Sequence, residues 1–300
     1  MPARLCRAAL AATMFGPVAG ILFDGFAYGM LLFLLSVGLS VTLGMMNFIN
    51  LSHASFGMLG GYVTVTLMQY FGWPFLATLP AAFVIAAAVS VVLERVMFRR
   101  MYRATDLDQT LLTIGVVFMS IAGAAYFWGT VQQPVLVPDY LSGSFLVAGV
   151  NIARYRLFLI VVALIITAVL IAALEWTRFG AQVRAAVDNQ RMARGLGLDV
   201  DRAFTLTFAL GSGLAGLGGA LAIAMVGLDP GFAFAYLIYV LIVVSVGGLA
   251  SIGGSFVAAS VLGVSDMAGK YYVPELGSFL IYLVMVGILM WRPAGLFGKR

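Results

Sequence analysis

The sequence predicts an all-α integral membrane protein, a polytopic bundle of about eight to ten transmembrane helices, and three observations predict it. Hydrophobic residues make up 63% of the 300 positions and charged residues only 10%, against about 45–50% and about 25% in soluble domains. The apolar residues fall in runs of about 17 to 25, the length at which a helix crosses a hydrocarbon core of roughly 30 Å. The basic residues gather in a few short segments between those runs, where positive charge sets membrane orientation.

In chain order the runs lie at 26–45, 53–71, 75–93, 110–128, 155–174, 204–226, 234–249, 255–267 and 278–290. Gly25 and Gly29 mark the first, Gly57 and Gly61 the second, each pair four residues apart. The run at 204–226 carries Gly211, Gly213, Gly216, Gly218 and Gly219. Helices in lipid associate through close packing of small residues, so these glycines predict thin faces that neighbours approach. The run at 255–267 is short for a crossing and reads as a broken or re-entrant element.

Orientation follows from the basic residues. Arg95, Arg99, Arg100 and Arg103 share one connection, Arg178, Arg184, Arg191, Arg194 and Arg202 another, and Arg292, Lys299 and Arg300 the tail, twelve of the 17 in all. With nine spans these three segments share a side, which the positive-inside tendency assigns to the cytoplasm. Arg4 and Arg7 disagree. Residues 1–22 therefore read as a separate N-terminal segment, either an extra membrane-inserted stretch over 5–22 or sequence upstream of a true start near Met14. Residues 23–300 form one transmembrane domain with a cytoplasmic loop at 175–203. The net charge of +5 is read as topology, not as a nucleic-acid surface.

The segment 47–55 is a polar interruption with no room for a proper loop. Asn47, Asn50, Ser52, His53 and Ser55 can satisfy backbone groups that an interrupted helix leaves open. Two readings stand: a helix cap and short turn at the cytoplasmic face, or a discontinuous element bordering a translocation path, with Asn50 and His53 on one helical face. A second small-residue interruption at 247–255, containing Ser251, holds a comparable place in the C-terminal half, a pattern compatible with an internal inverted repeat.

The 175–203 loop reads as short helices, with Asp188 as N-cap for 189–194 and Gly195 or Gly197 taking a left-handed stop. Val183, Ala186 and Val187 give the preceding turn an apolar face flanked by Arg184, which suits docking in a groove of a soluble partner. A solvated linker carrying orienting charges is the plainer alternative. Of the acidic residues near the membrane, Asp24, Asp229, Asp266 and Glu275, Asp266 is the most immersed, thin support for an ion-coupled carrier. Cys6 is alone, His53 is the single histidine, and no G-x-S-x-G elbow, H-E-x-x-H helix or P-loop occurs. Nothing here hydrolyses a peptide or nucleotide by a recognised arrangement, so any driving energy comes from another subunit.

Four stretches resemble the permease subunits of branched-chain amino acid ABC transporters: INLSHASFGMLGGY at 49–62, RAAVDNQRMARGLGLDVDR at 184–202 with TLTFAL at 205–210, GGLASIGG at 247–254, and RPAGLFG at 292–298. The resemblance runs from about residue 23 to the end. It implies a second permease subunit, identical or related, two cytoplasmic ATPase subunits that bind ATP, a periplasmic solute-binding protein, and a place in the bacterial cytoplasmic membrane with no cofactor on this chain. Departures occur where a carboxylate usually follows the His53 neighbourhood, where Ala250 and Gly253 replace Gly and Pro, and where Asn189 replaces Pro. The missing carboxylate leaves the solute open among branched-chain amino acids, amides, urea and aromatic acids.

The expected roles are a translocation pathway or gate for Asn47, Asn50, Ser52, His53, Ser55 and Ser251, and ATPase coupling for Arg184, Val187, Asp188, Arg191, Arg194, Gly195 and Gly197. The rival readings are a stand-alone secondary carrier or channel, and a membrane-embedded enzyme using His53 as a base, which lacks a motif-level nucleophile or metal partner.

Overall fold

The computed structural model describes residues 2–46, 48, 50–102, 104–134, 137–147, 150–249 and 251–298, with side chains from residue 17 onward apart from 45, 46 and 278. Met1, Asn47, Arg103, Ala250, Lys299 and Arg300 lie outside the described residues, as do the side chains of Arg4, Cys6 and Arg7. Among the described residues, nine helices have fifteen residues or more: α1 (Pro2–Met46), α2 (His53–Phe71), α3 (Phe75–Leu93), α5 (Asp106–Trp128), α6 (Arg154–Trp176), α9 (Val200–Val226), α10 (Phe232–Gly247), α11 (Ile252–Tyr272) and α12 (Gly277–Trp291). Shorter pieces are α4 (Arg99–Met101), joined to α3 by a π-helical turn Glu94–Phe98, and α7 (Arg178–Asp188) and α8 (Gln190–Gly195).

Six helices are long and apolar enough to cross a membrane, those spanning Pro17–Gly44, Phe75–Met101, Asp106–Trp128, Arg154–Trp176, Val200–Val226 and Ile252–Tyr272. Helices α10 and α12 are apolar but shorter. Helix α2 is less apolar because most of its surface faces other helices, not lipid.

One expectation is corrected and one element is new. Residues 2–46 form a single helix that runs through Pro17. The run at 255–267 is neither short nor broken: it lies within α11, which has 21 residues and continues past the polar Lys270 to Tyr272. One β-hairpin, unanticipated, joins α5 to α6, with β1 (Ser144–Val147) antiparallel to β2 (Val150–Ala153).

Helices α1 and α9 form the interior, and glycine sets how close their neighbours come. A Cβ on Gly60 of α2 would lie 2.0 Å from the Gly216 carbonyl oxygen on α9, and one on Gly38 of α1 would lie 2.2 Å from that of Gly211. Backbone therefore meets backbone, which maximises dispersion contact where lipid supplies no hydrophobic drive. The glycine-rich face of α9 is a packing face, as its sequence indicates. Gly25 meets Val264 and Gly29 meets Ala259, so α1 and α11 run antiparallel. Buried hydroxyls fasten the same core: Tyr155 on α6 donates to the Leu221 carbonyl at 2.6 Å, and Trp128 Nε1 on α5 donates to Thr66 Oγ1 at 2.8 Å.

Two of the sequence motifs come together. The amide of Leu296 donates to the Val246 carbonyl at 2.8 Å and that of Phe297 to the Gly247 carbonyl at 3.3 Å, which clamps the 292–298 tail onto the end of α10. Gly248, at φ +94°, makes the turn between α10 and α11.

Candidate functional site

The interruption between α1 and α2 lies within the bundle. The His53 ring hydrogen-bonds to the backbone of Leu35, and a Cβ on Gly57 would meet the Leu35 side chain. Leu35 precedes the end of α1 by eleven residues, roughly 16 Å of helix at 1.5 Å per residue. The chain thus folds back along α1 before α2 begins. Asn50, Ser52 and His53 are almost fully buried. The Asn50 Oδ1 accepts from the Ser52 amide at 3.1 Å and from the Ser52 hydroxyl at 2.6 Å, a local turn that competes with helix. Asn50 is therefore outside α2 and does not share a helical face with His53, which is the helix's first residue. Asn50 Nδ2, His53 Nε2 and the Tyr62 hydroxyl are buried without hydrogen-bond partners.

A cavity of about 290 Å³ opens beside this break, between α2, α3 and α5. Ser52, Ser55 and Ser120 are its polar lining; Phe56, Tyr62 and Trp128 contribute aromatic walls. The hydroxyls of Ser55 and Ser120 are hydrogen-bonded at 2.8 Å. A mostly apolar chamber with a few hydroxyls suits a small solute that carries an aliphatic part. Of the residues expected at a pathway, Ser52 and Ser55 line this cavity, while Asn50 and His53 sit behind it. Ser251 is elsewhere: it caps α11, accepting from the Gly254 amide at 2.9 Å.

The loop between α6 and α9 carries a second site. Thr177 caps α7 by accepting from the Gly180 amide, and α8 is capped by Asn189, whose Oδ1 accepts from the Met192 amide at 2.9 Å. Asp188, expected as that cap, is the last residue of α7. Gly197, at φ +80°, takes the left-handed stop, and Gly195 stays helical. Val183 and Ala186 pack inward with Phe98, Phe204 and Phe208, so this chain itself consumes most of the expected docking stripe. What faces out is Arg184, Asp188, Arg191 and Gly195, together with Val187 (38% exposed), Met192 (67%) and Leu196 (79%). Sequence reasoning did not assign Met192 and Leu196; their signal is two large apolar side chains four apart in a charged loop.

An ionic cluster ties this loop to the bundle. Asp201, at the start of α9, accepts from Arg194 and from Arg99, each at 2.7 Å. Beneath it the buried Glu94 carboxylate, in the π-helical turn, accepts from the Tyr102 hydroxyl at 2.7 Å and from Thr205 Oγ1 at 3.1 Å. Burial, followed by the contact with Glu94, pushes the Tyr102 phenol well above its ordinary value, which keeps it a donor. The half-exposed arginine pairs contribute about 1 kcal/mol or less each. Their value is geometric: Arg194 on the loop, α4 and α9 share one carboxylate.

A family model described as "Branched-chain amino acid transport system / permease component" matches residues 21–289. The chain is 26% identical over 293 residues to the probable branched-chain amino acid transport permease protein LivH of Methanocaldococcus jannaschii, covering 93% of this chain and 92% of that one. It is 25% identical over 294 residues to the high-affinity branched-chain amino acid transport system permease protein LivH of Escherichia coli K12, covering 93% and 94%. Similarity extends to the high-affinity branched-chain amino acid transport system permease protein LivM of the same strain, 26% over 290 residues, covering 89% of this chain and 68% of that one.

Proposed function

This chain belongs to the branched-chain amino acid transport permease family, and we propose that it works as one half of the membrane channel of a bacterial ABC importer. It is a multi-pass membrane permease; the cytoplasmic membrane is its place, and it acts with a second permease, two ATPase subunits that bind ATP, and a periplasmic solute-binding protein. The solute is a branched-chain amino acid or a polar organic molecule of similar size. The chain contributes a path and a docking loop and carries out no chemistry of its own.

The observation that carries this reading is the family match over residues 21–289 in a chain whose α7–α8 loop presents exposed Val187, Met192 and Leu196. Arg184, Val187, Asp188 and Arg191 meet the ATPase, Gly197 sets the loop's exit, and Arg194 passes motion through Asp201 to α4 and α9. The unpartnered Asn50 and His53 nitrogens support a pathway behind the 290 Å³ cavity, because buried polar groups left unpaired are costly unless something occupies them in another state.

The test is purification of the tagged chain from its native membrane in mild detergent, then reconstitution of what accompanies it. Recovery of an ATPase and a second permease, with uptake that stops when ATP is withheld, is the expected result. Recovery of the chain alone, with uptake abolished by an uncoupler and indifferent to ATP, would establish a stand-alone carrier instead.

A further inference from the structure

Asp266 of α11 is fully buried and plays no part in the cavity or the loop. Its Oδ2 accepts from Lys270 Nζ at 2.6 Å, and its Oδ1, equally enclosed, has no hydrogen-bond partner. The Lys270 ammonium also lies 5.4 Å from the centre of the Tyr28 ring on α1. The Tyr28 hydroxyl is hydrogen-bonded to Tyr236 of α10, and the carboxylate acts electrostatically on Tyr28, Tyr236 and Tyr239. Three helices thus converge on one carboxylate.

An ionisable group inside a membrane bundle is expensive to hold, and leaving one of its oxygens unpaired adds to the cost. The group the carboxylate holds now indicates what it recognises: a primary ammonium, set between a charged oxygen and the face of an aromatic ring. That ammonium is tethered to a side chain 46% exposed, so the lysine can withdraw outward along the route it occupies. Its withdrawal would leave the Asp266 carboxylate and the Tyr28 ring face open to another ammonium. We propose that Asp266, Tyr28 and Tyr236 form a binding site for a primary ammonium group, filled by Lys270 in this structure and taken in its place by the amino group of an incoming solute. The displaced Lys270 then faces the solute's carboxylate, so one ion pair is exchanged for two of the same kind. The solute half of this inference rests on the importer reading; the ammonium half does not.

The site is tested by chemical rescue. The Lys270→Ala chain, kept in the assembly that co-purifies with it, is melted in equal concentrations of methylammonium, tetramethylammonium or sodium chloride. Methylammonium is expected to raise the melting midpoint by several degrees over both other salts, and Lys270→Ala/Asp266→Ala is expected not to respond. A Lys270→Ala chain indifferent to methylammonium, or stabilised equally by sodium, overturns the site. Should Lys270→Ala not be recovered folded, Lys270→Met, which keeps an unbranched apolar stem but carries no N–H donor, serves for the same comparison. For the solute half, Asp266→Asn in proteoliposomes is expected to lose uptake of amine-bearing solutes by roughly tenfold or more, as for loss of one charge-assisted hydrogen bond. Unchanged uptake overturns that half. A wild-type assembly that imports no solute refutes the importer reading, and the methylammonium result then judges the site on its own.

Discussion

If Met192 and Leu196 seat the ATPase, replacing both with alanine should separate the two proteins without unfolding either. Both side chains point out of the fold, 67% and 79% exposed, so their loss removes little that holds this chain together, within about 0.5 kcal/mol as for ordinary surface changes. Burying a leucine or methionine completely is worth roughly 1.5–3 kcal/mol. Scaled to the exposed share, each contributes about 1–2 kcal/mol at an interface, and the pair about 2–4. At 1.4 kcal/mol per decade, the double variant should bind its ATPase roughly 30- to 700-fold more weakly. The assay is co-purification at graded ATPase concentration, with the melting midpoint of the variant as the control for folding. An intact complex at wild-type affinity, with a fold equally intact, would refute the docking argument, whereas loss of binding together with lost folding would show that the side chains serve the fold.

Further outcomes follow from the same geometry. Asn189→Ala should cost about 1 kcal/mol at the α8 cap and speed amide exchange at Met192, while Asp188→Ala leaves that exchange unchanged; the reverse pattern would return the cap to Asp188. Gly60→Leu should abolish recovery of monodisperse protein, since even a Cβ there would come within 2.0 Å of the Gly216 backbone; size-exclusion chromatography of a fluorescent fusion reads this directly. Ser120→Phe should fill the cavity beside Ser55 and lower solute uptake by roughly tenfold or more, the effect of losing a fitted pocket, with ATPase co-purification unchanged. Val187→Ala/Arg191→Ala should abolish uptake while leaving membrane insertion intact, and full uptake by that variant would remove both residues from the coupling role.

Much of the architecture was legible because lipid imposes a coarse rule. A crossing helix must be long and apolar, so runs of hydropathy located nearly every long helix, with 53–71 and 75–93 reproduced to the residue. The rule fails where a helix faces protein. Helix α2 is less apolar than its neighbours because it packs against α1, α3, α9 and α10, and α11 looked short because its last turns are polar where the buried Asp266 pairs with the half-exposed Lys270. Part of the loop's apolar face meets the same limit. Val183 and Ala186 have the spacing of a docking face, but periodicity states only that a face is apolar, and here the partner is Phe98, Phe204 and Phe208 of the same chain.

The sequence by itself determined that this is a membrane bundle, which segments cross, which loops are basic, and to which family the four motifs point. These are properties of composition and local order, read one stretch at a time. Tertiary structure decided that the polar break turns back into the bundle, that Ser55 pairs with Ser120 in the wall of a cavity, that the 292–298 tail clamps the end of α10, and that Asp201 joins Arg99 to Arg194. The reason is packing across the chain: backbone-to-backbone approach at pairs such as Gly60 and Gly216 sets how close α2 lies to α9, which no single stretch of sequence states.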